Sequence, residues 1–180
     1  MAATSINNSY VTQSQLQGLF GPGIYYNITY KSGGHLTAGS SNVTNGVIVQ
    51  FNRNNTCQTY CNNAVFGQEI VAITENPQAD YNLFVNGYNQ TSSLGQTSSL
   101  GSNKIVLSGS LENITYTLFS WQYSMMTQYN FVAFGNGKVM LLTMGYSNIT
   151  YPGFNKTISN TKLIDTLIND FANGTSATIS

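Results

Sequence analysis

The chain has 180 residues, enough for one domain with a substantial core. Only 7% of them are charged, against roughly 25% in an average soluble domain. The six cations (Lys31, Arg53, Lys104, Lys138, Lys156, Lys162) balance six acidic residues to a formal charge of zero and are scattered, so no basic patch exists to neutralise a phosphate backbone and nucleic acid is excluded as a partner. Twelve Tyr, nine Phe and Trp121 argue against disorder. No apolar run reaches the roughly 18 residues of a spanning helix.

Residues 1–11 carry no periodic pattern and are expected to be a flexible N-terminal arm, with Met1-Ala2-Ala3 resembling an artificial start. A single domain is expected over 12–173. Thr12-Gln13-Ser14-Gln15 is a capping box, flanked by Val11 and Leu16 at staple positions. Leu16, Leu19 and Phe20 form the apolar face of the helix it opens, and Gly21-Pro22 stops it. Ile24, Tyr26, Ile28 and Tyr30 then alternate with Tyr25, Asn27, Thr29 and Lys31, the signature of a half-buried strand. Val47, Val49 and Phe51 repeat the pattern, and Val65–Thr74 follows as a third strand. A second helix is predicted from Asn76, with Pro77 in its first position, Ala79, Leu83 and Phe84 inward, and Asn86-Gly87 as its end. Gln90–Gly101 repeats Gln-Thr-Ser-Ser-Leu-Gly twice and reads as a surface loop.

The second half opens with strands over Lys104–Ser110 and Ile114–Gln122. Tyr129–Phe134 and Lys138–Tyr146 flank Asn136-Gly137, the strongest short hairpin signal. A third helix is expected from about Thr161 to Ala172, capped by Asn160, with Leu163, Ile164, Leu167, Ile168 and Phe171 in one stripe and Asn173-Gly174 ending it. Residues 174–180 read as a polar tail or the start of a stalk. The order is α-β-β-β-α-β-β-β-β-α. Short connections imply antiparallel pairing, so the expected fold is α+β, a curved antiparallel sheet with the three helices on one face.

Nine Asn-x-Ser/Thr sequons occur, at Asn7, Asn27, Asn42, Asn54, Asn89, Asn113, Asn148, Asn155 and Asn173. Asn27 and Asn113 fall on the polar phase of strands, and Asn89, Asn148, Asn155 and Asn173 in expected loops. Glycans need exposed sites, so the pattern predicts an extracellular or cell-surface glycoprotein, with the surfaces around Asn27 and Asn113 away from the binding face. Cys57 and Cys61, spaced C-x3-C, lack the second cysteine pair of a metal site and are read as a local disulfide. A leader and a membrane anchor beyond these 180 residues complete that expectation.

The element order resembles extracytoplasmic α+β domains of the PsbP-like and bacterial lipoprotein-sensor kind. The parts that carry the likeness are Thr12–Gly21, Asn76–Gly87, Phe131–Met144 and Thr161–Phe171. It implies binding or scaffolding more than catalysis and transfers no site residue. The composition, rich in Asn, Thr, Tyr and sequons, is similar to secreted proteins of hot-acid archaea. A chain with few carboxylates has little to lose as pH falls, so acid stability is expected.

Catalytic chemistry has little to stand on. His35, in Ser-Gly-Gly-His, reads as an exposed loop residue, and no nucleophile elbow or phosphate loop is present. Asp80, Asp165 and Asp170 read as solvent faces of helices. Glu69, mid-strand, is expected to face water and is the one candidate for an acid hydrolase, which would need a second carboxylate nearby. Trp121, Tyr123, Met125 and Met126, just beyond a strand, are a candidate binding surface or a patch of core. Tyr25, Tyr60, Tyr88 and Tyr151 fall in exposed phases of the kind recognition surfaces use. No metal or cofactor is expected. The expected function is non-enzymatic binding of a protein or glycan at the cell surface. The alternatives are a filament subunit that donates its N-terminal arm, a secreted antimicrobial protein (similar in kind to sulfolobicins) or its immunity partner, and an acid hydrolase using Glu69.

Overall fold

The computed structural model describes residues 6–53, 65–93, 103–123, 126–147 and 156–173. Three helices and seven strands follow the expected order: α1 (Gln13–Phe20), β1 (Tyr25–Lys31), β2 (Val43–Arg53), β3 (Val65–Thr74), α2 (Pro77–Ser93), β4 (Asn103–Leu111), β5 (Ile114–Tyr123), β6 (Met126–Gly135), β7 (Lys138–Ser147) and α3 (Lys156–Asn173). The strands form one open antiparallel sheet, ordered β1-β2-β3-β7-β6-β5-β4. The fold is α+β, a single domain built on a curved sheet.

Local chemistry sets most of the element ends. The capping box at α1 is formed: Gln15 N donates to Thr12 Oγ1 at 3.2 Å, and Thr12 N donates to Gln15 Oε1 at 2.8 Å. Asn136 and Gly137 both take positive φ, 52° and 78°, which is the backbone a two-residue hairpin needs to match strand twist. Asn76 caps α2, accepting the Ala79 N–H at 3.1 Å.

The helices divide between the two faces of the sheet, which corrects the expectation of one covered face. On one side, α1, α3 and the segment from Ile6 to Val11 pack on Val47, Val49, Phe51, Phe131, Met140, Leu142 and Met144. On the other side α2 lies over β4 to β7. Tyr81 packs on Phe134 at 4.8 Å and meets Thr117 Oγ1 at 2.6 Å, and Tyr88 packs on Phe119 at 5.3 Å. Strand alternation requires this division, because Phe131 and Ala133 point to the α3 side while Val132 and Phe134 point to α2.

Four further expectations change. The arm is not free over its described part, since Ile6, Ser9 and Val11 are buried. The second helix continues through Asn86-Gly87 to Ser93, absorbing the start of the repeat and placing Asn89 in a helix. Its buried side is Asp80 and Tyr81, with Ala79 exposed and Leu83 36% exposed. The third helix begins at Lys156, so Asn160 lies inside it.

Asp80 is buried rather than solvent-facing because it ties the loop before β2 to the start of α2. It accepts from Ser41 N at 2.7 Å and from Ser41 Oγ at 2.6 Å. Asp80→Ala leaves two half-buried Ser41 donors unpaired, so the urea midpoint is expected to fall by the equivalent of about 1 kcal/mol. An unchanged midpoint would show that the clamp contributes nothing.

Candidate functional site

Two arrangements of polar side chains stand out, one sealed inside the domain and one open on its surface. The sealed one centres on Glu69. Its phase along β3 matches Val65 and Val71, so its side chain enters the layer under Ile6–Val11 and is fully buried, correcting the expectation that it faces water. Glu69 Oε2 accepts the Val11 N–H at 2.8 Å, and Oε1 has no partner among the described residues. Loss of hydration pushes this carboxyl up to about 8, against the opposing Val11 N–H.

Asp170 on α3 is half-buried instead of solvent-facing. Gln15 Nε2 donates to its Oδ1 at 3.1 Å while Oδ2 is buried with no partner among the described residues. Burial raises its pKa as well. Tyr26 Oη donates to the Val11 carbonyl at 2.6 Å, and Tyr10 Oη lies 3.5 Å from Tyr30 Oη. Burial, then the nearby Glu69, holds the Tyr26 phenol well above its ordinary value.

A second buried charge-bearing group, which sequence reasoning passed over, fastens the same segment. Lys138 is fully buried; its Nζ donates to Ser9 Oγ at 2.8 Å and to the Phe171 carbonyl at 3.2 Å, and sits 5.1 Å from the centre of the Phe171 ring. Burial lowers its pKa to about 8. The signal was available: Lys138 shares the strand phase of Met140, Leu142 and Met144. Glu69 and Lys138 thus hold the N-terminal segment at Val11 and Ser9. No substrate can reach Glu69 in this arrangement.

The open site is on the α2 side of the sheet, at the end formed by β1, β2 and β3, beside the part that α2 covers. Cross-strand register lines up Tyr25, Asn52, Phe66, Gly145, Gln128 and Trp121 in one row from β1 to β5. Beside it runs a second row, Asn27, Gln50, Gln68, Thr143, Asn130 and Phe119, exposed at Asn27, Gln50 and Gln68 and buried at Asn130 and Phe119, where Tyr88 of α2 covers it. Tyr25 is 63% and Phe66 39% exposed. Gly145 supports this: a Cβ there would lie 2.2 Å from Phe66 Cζ, so only glycine lets the ring rest on the sheet with its outer face to solvent.

Four of the amides in these rows are tied in two pairs. Gln50 Nε2 donates to Gln68 Oε1 at 3.2 Å, and Asn130 Oδ1 accepts from Gln128 Nε2 at 3.2 Å and from Thr143 Oγ1 at 3.0 Å. A depression of about 330 Å³ opens between Tyr25, Gln50, Asn52, Phe66, Gln68 and Thr143, with Phe51 and Gly67 completing its lining. None of these eight residues is charged.

Trp121 is half-buried within β5, not beyond it, and Tyr123 and Met126 are paired across the β5–β6 connection. Tyr88 is half-buried against Phe119, and burial raises its phenol. His35 is exposed, its Nδ1 2.7 Å from the Ser40 carbonyl. Asn7, Asn27, Asn42 and Asn113 are exposed and Asn89 half-buried. Asn113 occupies the β4–β5 turn, and Asn173 is the last residue of α3. Cys57, Cys61, Asn54, Asn148, Asn155, Tyr60, Tyr151 and Met125 lie outside the described residues. Among the described residues no cluster of metal-ligating side chains occurs, and no helix is long and apolar enough to cross a membrane.

No family model and no curated protein matches the chain. Among solved structures, that of an uncharacterized protein from Mycobacterium smegmatis is similar over 98% of this chain and 99% of its own, at 12% identity and a TM-score of 0.43.

Proposed function

We propose that this chain is an extracellular or cell-surface glycoprotein domain that acts by binding, and that the exposed end of these rows, around Tyr25 and Phe66, is its binding face. The observation that carries the reading is the pairing of exposed Tyr25 and Phe66 with hydrogen-bonded amides on a rigid sheet, without a charge in the depression between them. Rigid aromatics give contact area at little entropic cost, and amides add adaptable hydrogen bonding. The alternative of an acid hydrolase is less favoured, since Glu69 is sealed from solvent. The reading also reassigns the surface around Asn27, which belongs to the same face as Tyr25 and Gln50.

The test is retention of labelled protein on the outer surface of intact cells of its own source. Wild type is expected to be retained, and the double variant Tyr25→Ala/Phe66→Ala to lose about tenfold in affinity with its melting temperature little changed. Equal retention of both proteins would remove the face from consideration.

The filament alternative keeps one supporting observation. Edge strand β4 exposes Ile105, Leu107 and Leu111, and an apolar unpaired edge is a template for another strand. The donor arm it invoked is committed to its own core over Ile6–Val11. Self-association in sedimentation, lost in Leu107→Lys, would favour that reading.

A further inference from the structure

Resting on the binding-face reading, we infer that the ligand is an extended, uncharged oligosaccharide lying along the Tyr25–Phe66–Trp121 row, across the strands. Three features converge on that chemistry. The first is spacing. Strands lie roughly 4.8 Å apart, so two strand steps separate Tyr25 from Phe66 by roughly 10 Å, and three separate Phe66 from Trp121 by roughly 14 Å. A row of that length fits a chain of several linked rings better than one compact molecule.

The second is ring presentation. Phe66 has its inner face against Gly145 and is 39% exposed. It therefore offers a flat π-surface, whose negative face attracts the slightly positive C–H bonds on the apolar side of a pyranose.

The third is the hydrogen-bonding inventory. An amide carries two N–H donors and two acceptor lone pairs. The Gln50–Gln68 bond uses one donor of the first and one lone pair of the second, so donor and acceptor capacity remains side by side, the combination that neighbouring sugar hydroxyls satisfy. None of the described lining residues is charged, so they offer no ion pair to a phosphate, a sulfate or an acidic peptide.

Asn27 stands in the adjoining row as the cross-strand partner of Gln50. A glycan on it would compete for the same surface, so the experiment uses protein from a host without N-glycosylation. Backbone amide shifts are followed by NMR during titration with neutral gluco-, manno- and galacto-configured tetrasaccharides, and separately with an uncharged blocked tetrapeptide.

The expected result is saturable movement of Tyr25, Gln50, Phe66 and Gln68 with at least one saccharide, unchanged between about 0.05 and 1 M salt. Phe66→Leu, which keeps bulk but removes the π-face, is expected to weaken binding about tenfold. Trp121→Ala is expected to weaken tetrasaccharides but not disaccharides. Movement with the peptide alone would overturn the saccharide class while leaving the binding face standing. No movement with any probe would overturn both. Binding blocked in glycosylated protein and restored by Asn27→Gln would assign the row to the chain's own glycan and overturn the external ligand.

Discussion

At about pH 4 the protein is expected to melt on the order of 10 °C higher than at about pH 8. Glu69 carries the effect. Its pKa is raised from 4.5 to about 8 in the fold, so folding favours its protonated form. Below about pH 4.5 both states are protonated and the stabilisation is fully present. Between the two values the unfolded chain releases the proton and the folded one keeps it, so stability declines by about 1.4 kcal/mol per pH unit, a total on the order of 5 kcal/mol.

Other groups near Glu69 act in the same sense or outside this window. Asp170 on α3 is also raised by burial, adding to the decline. Tyr10 and Tyr26 are raised above 10 and lose stability only in stronger alkali. Lys138, lowered to about 8 from 10.5, is charged in both states below pH 8. It returns stability only as pH rises from there toward 10.5. The stability curve therefore has its minimum near pH 8. Glu69→Gln keeps the shape and an acceptor for Val11 N while removing the titration, so its curve is expected to be flatter from pH 4 to 8 and higher at pH 8. A wild type that melts lower at pH 4 than at pH 8, or a variant with an unchanged slope, would sink this account.

Lys138→Ala is expected to destabilise by about 3–5 kcal/mol, measured by denaturant unfolding at neutral pH. The change empties the volume of a fully buried side chain, strands the Phe171 carbonyl at the end of α3 and frees Ser9 Oγ. Amide exchange separates this from a general loss of packing. Protection at Ile6–Val11 is expected to fall further than protection in β3 and β7. A uniform loss across the sheet would mean that Lys138 does not fasten the segment.

Element order was legible because its signals are local. The capping box at Thr12–Gln15, the Asn136-Gly137 turn and the alternation in β1 and β2 each specify their own geometry within a few residues. Strand β3 shows where such reading stops. It is apolar on both phases, Val65 and Val71 on one and Ile70 and Ala72 on the other, because helices cover both sides of the sheet. Alternation alone then cannot decide which way Glu69 points.

The inward side of α2 was misread for a different reason. Tyr81, Phe84, Val85 and Tyr88 have helical spacing, but Asp80 beside them is buried only because Ser41, far away in sequence, supplies its donors. The aromatic and amide rows are likewise made by register between strands up to about a hundred residues apart in sequence, which no local window contains. Tyr25 was identified as a recognition residue; Phe66 was not, because its exposure depends on Gly145 across the sheet.

The sheet order also divides the molecule in time. Strands β1 to β3 form one meander and β4 to β7 another, and within the sheet the two meanders join only where β3 pairs with β7. As the chain emerges from a ribosome or a translocation pore, the first meander can assemble while the second does not yet exist. Until β7 arrives, β3 waits with a bare edge that is rich in Val and Ile and carries Glu69. Val11 can engage that carboxylate before the seam closes, since both belong to the earlier half. An acidic medium would keep the waiting Glu69 neutral, and an alkaline one would leave the β3–β7 seam to close over a charge.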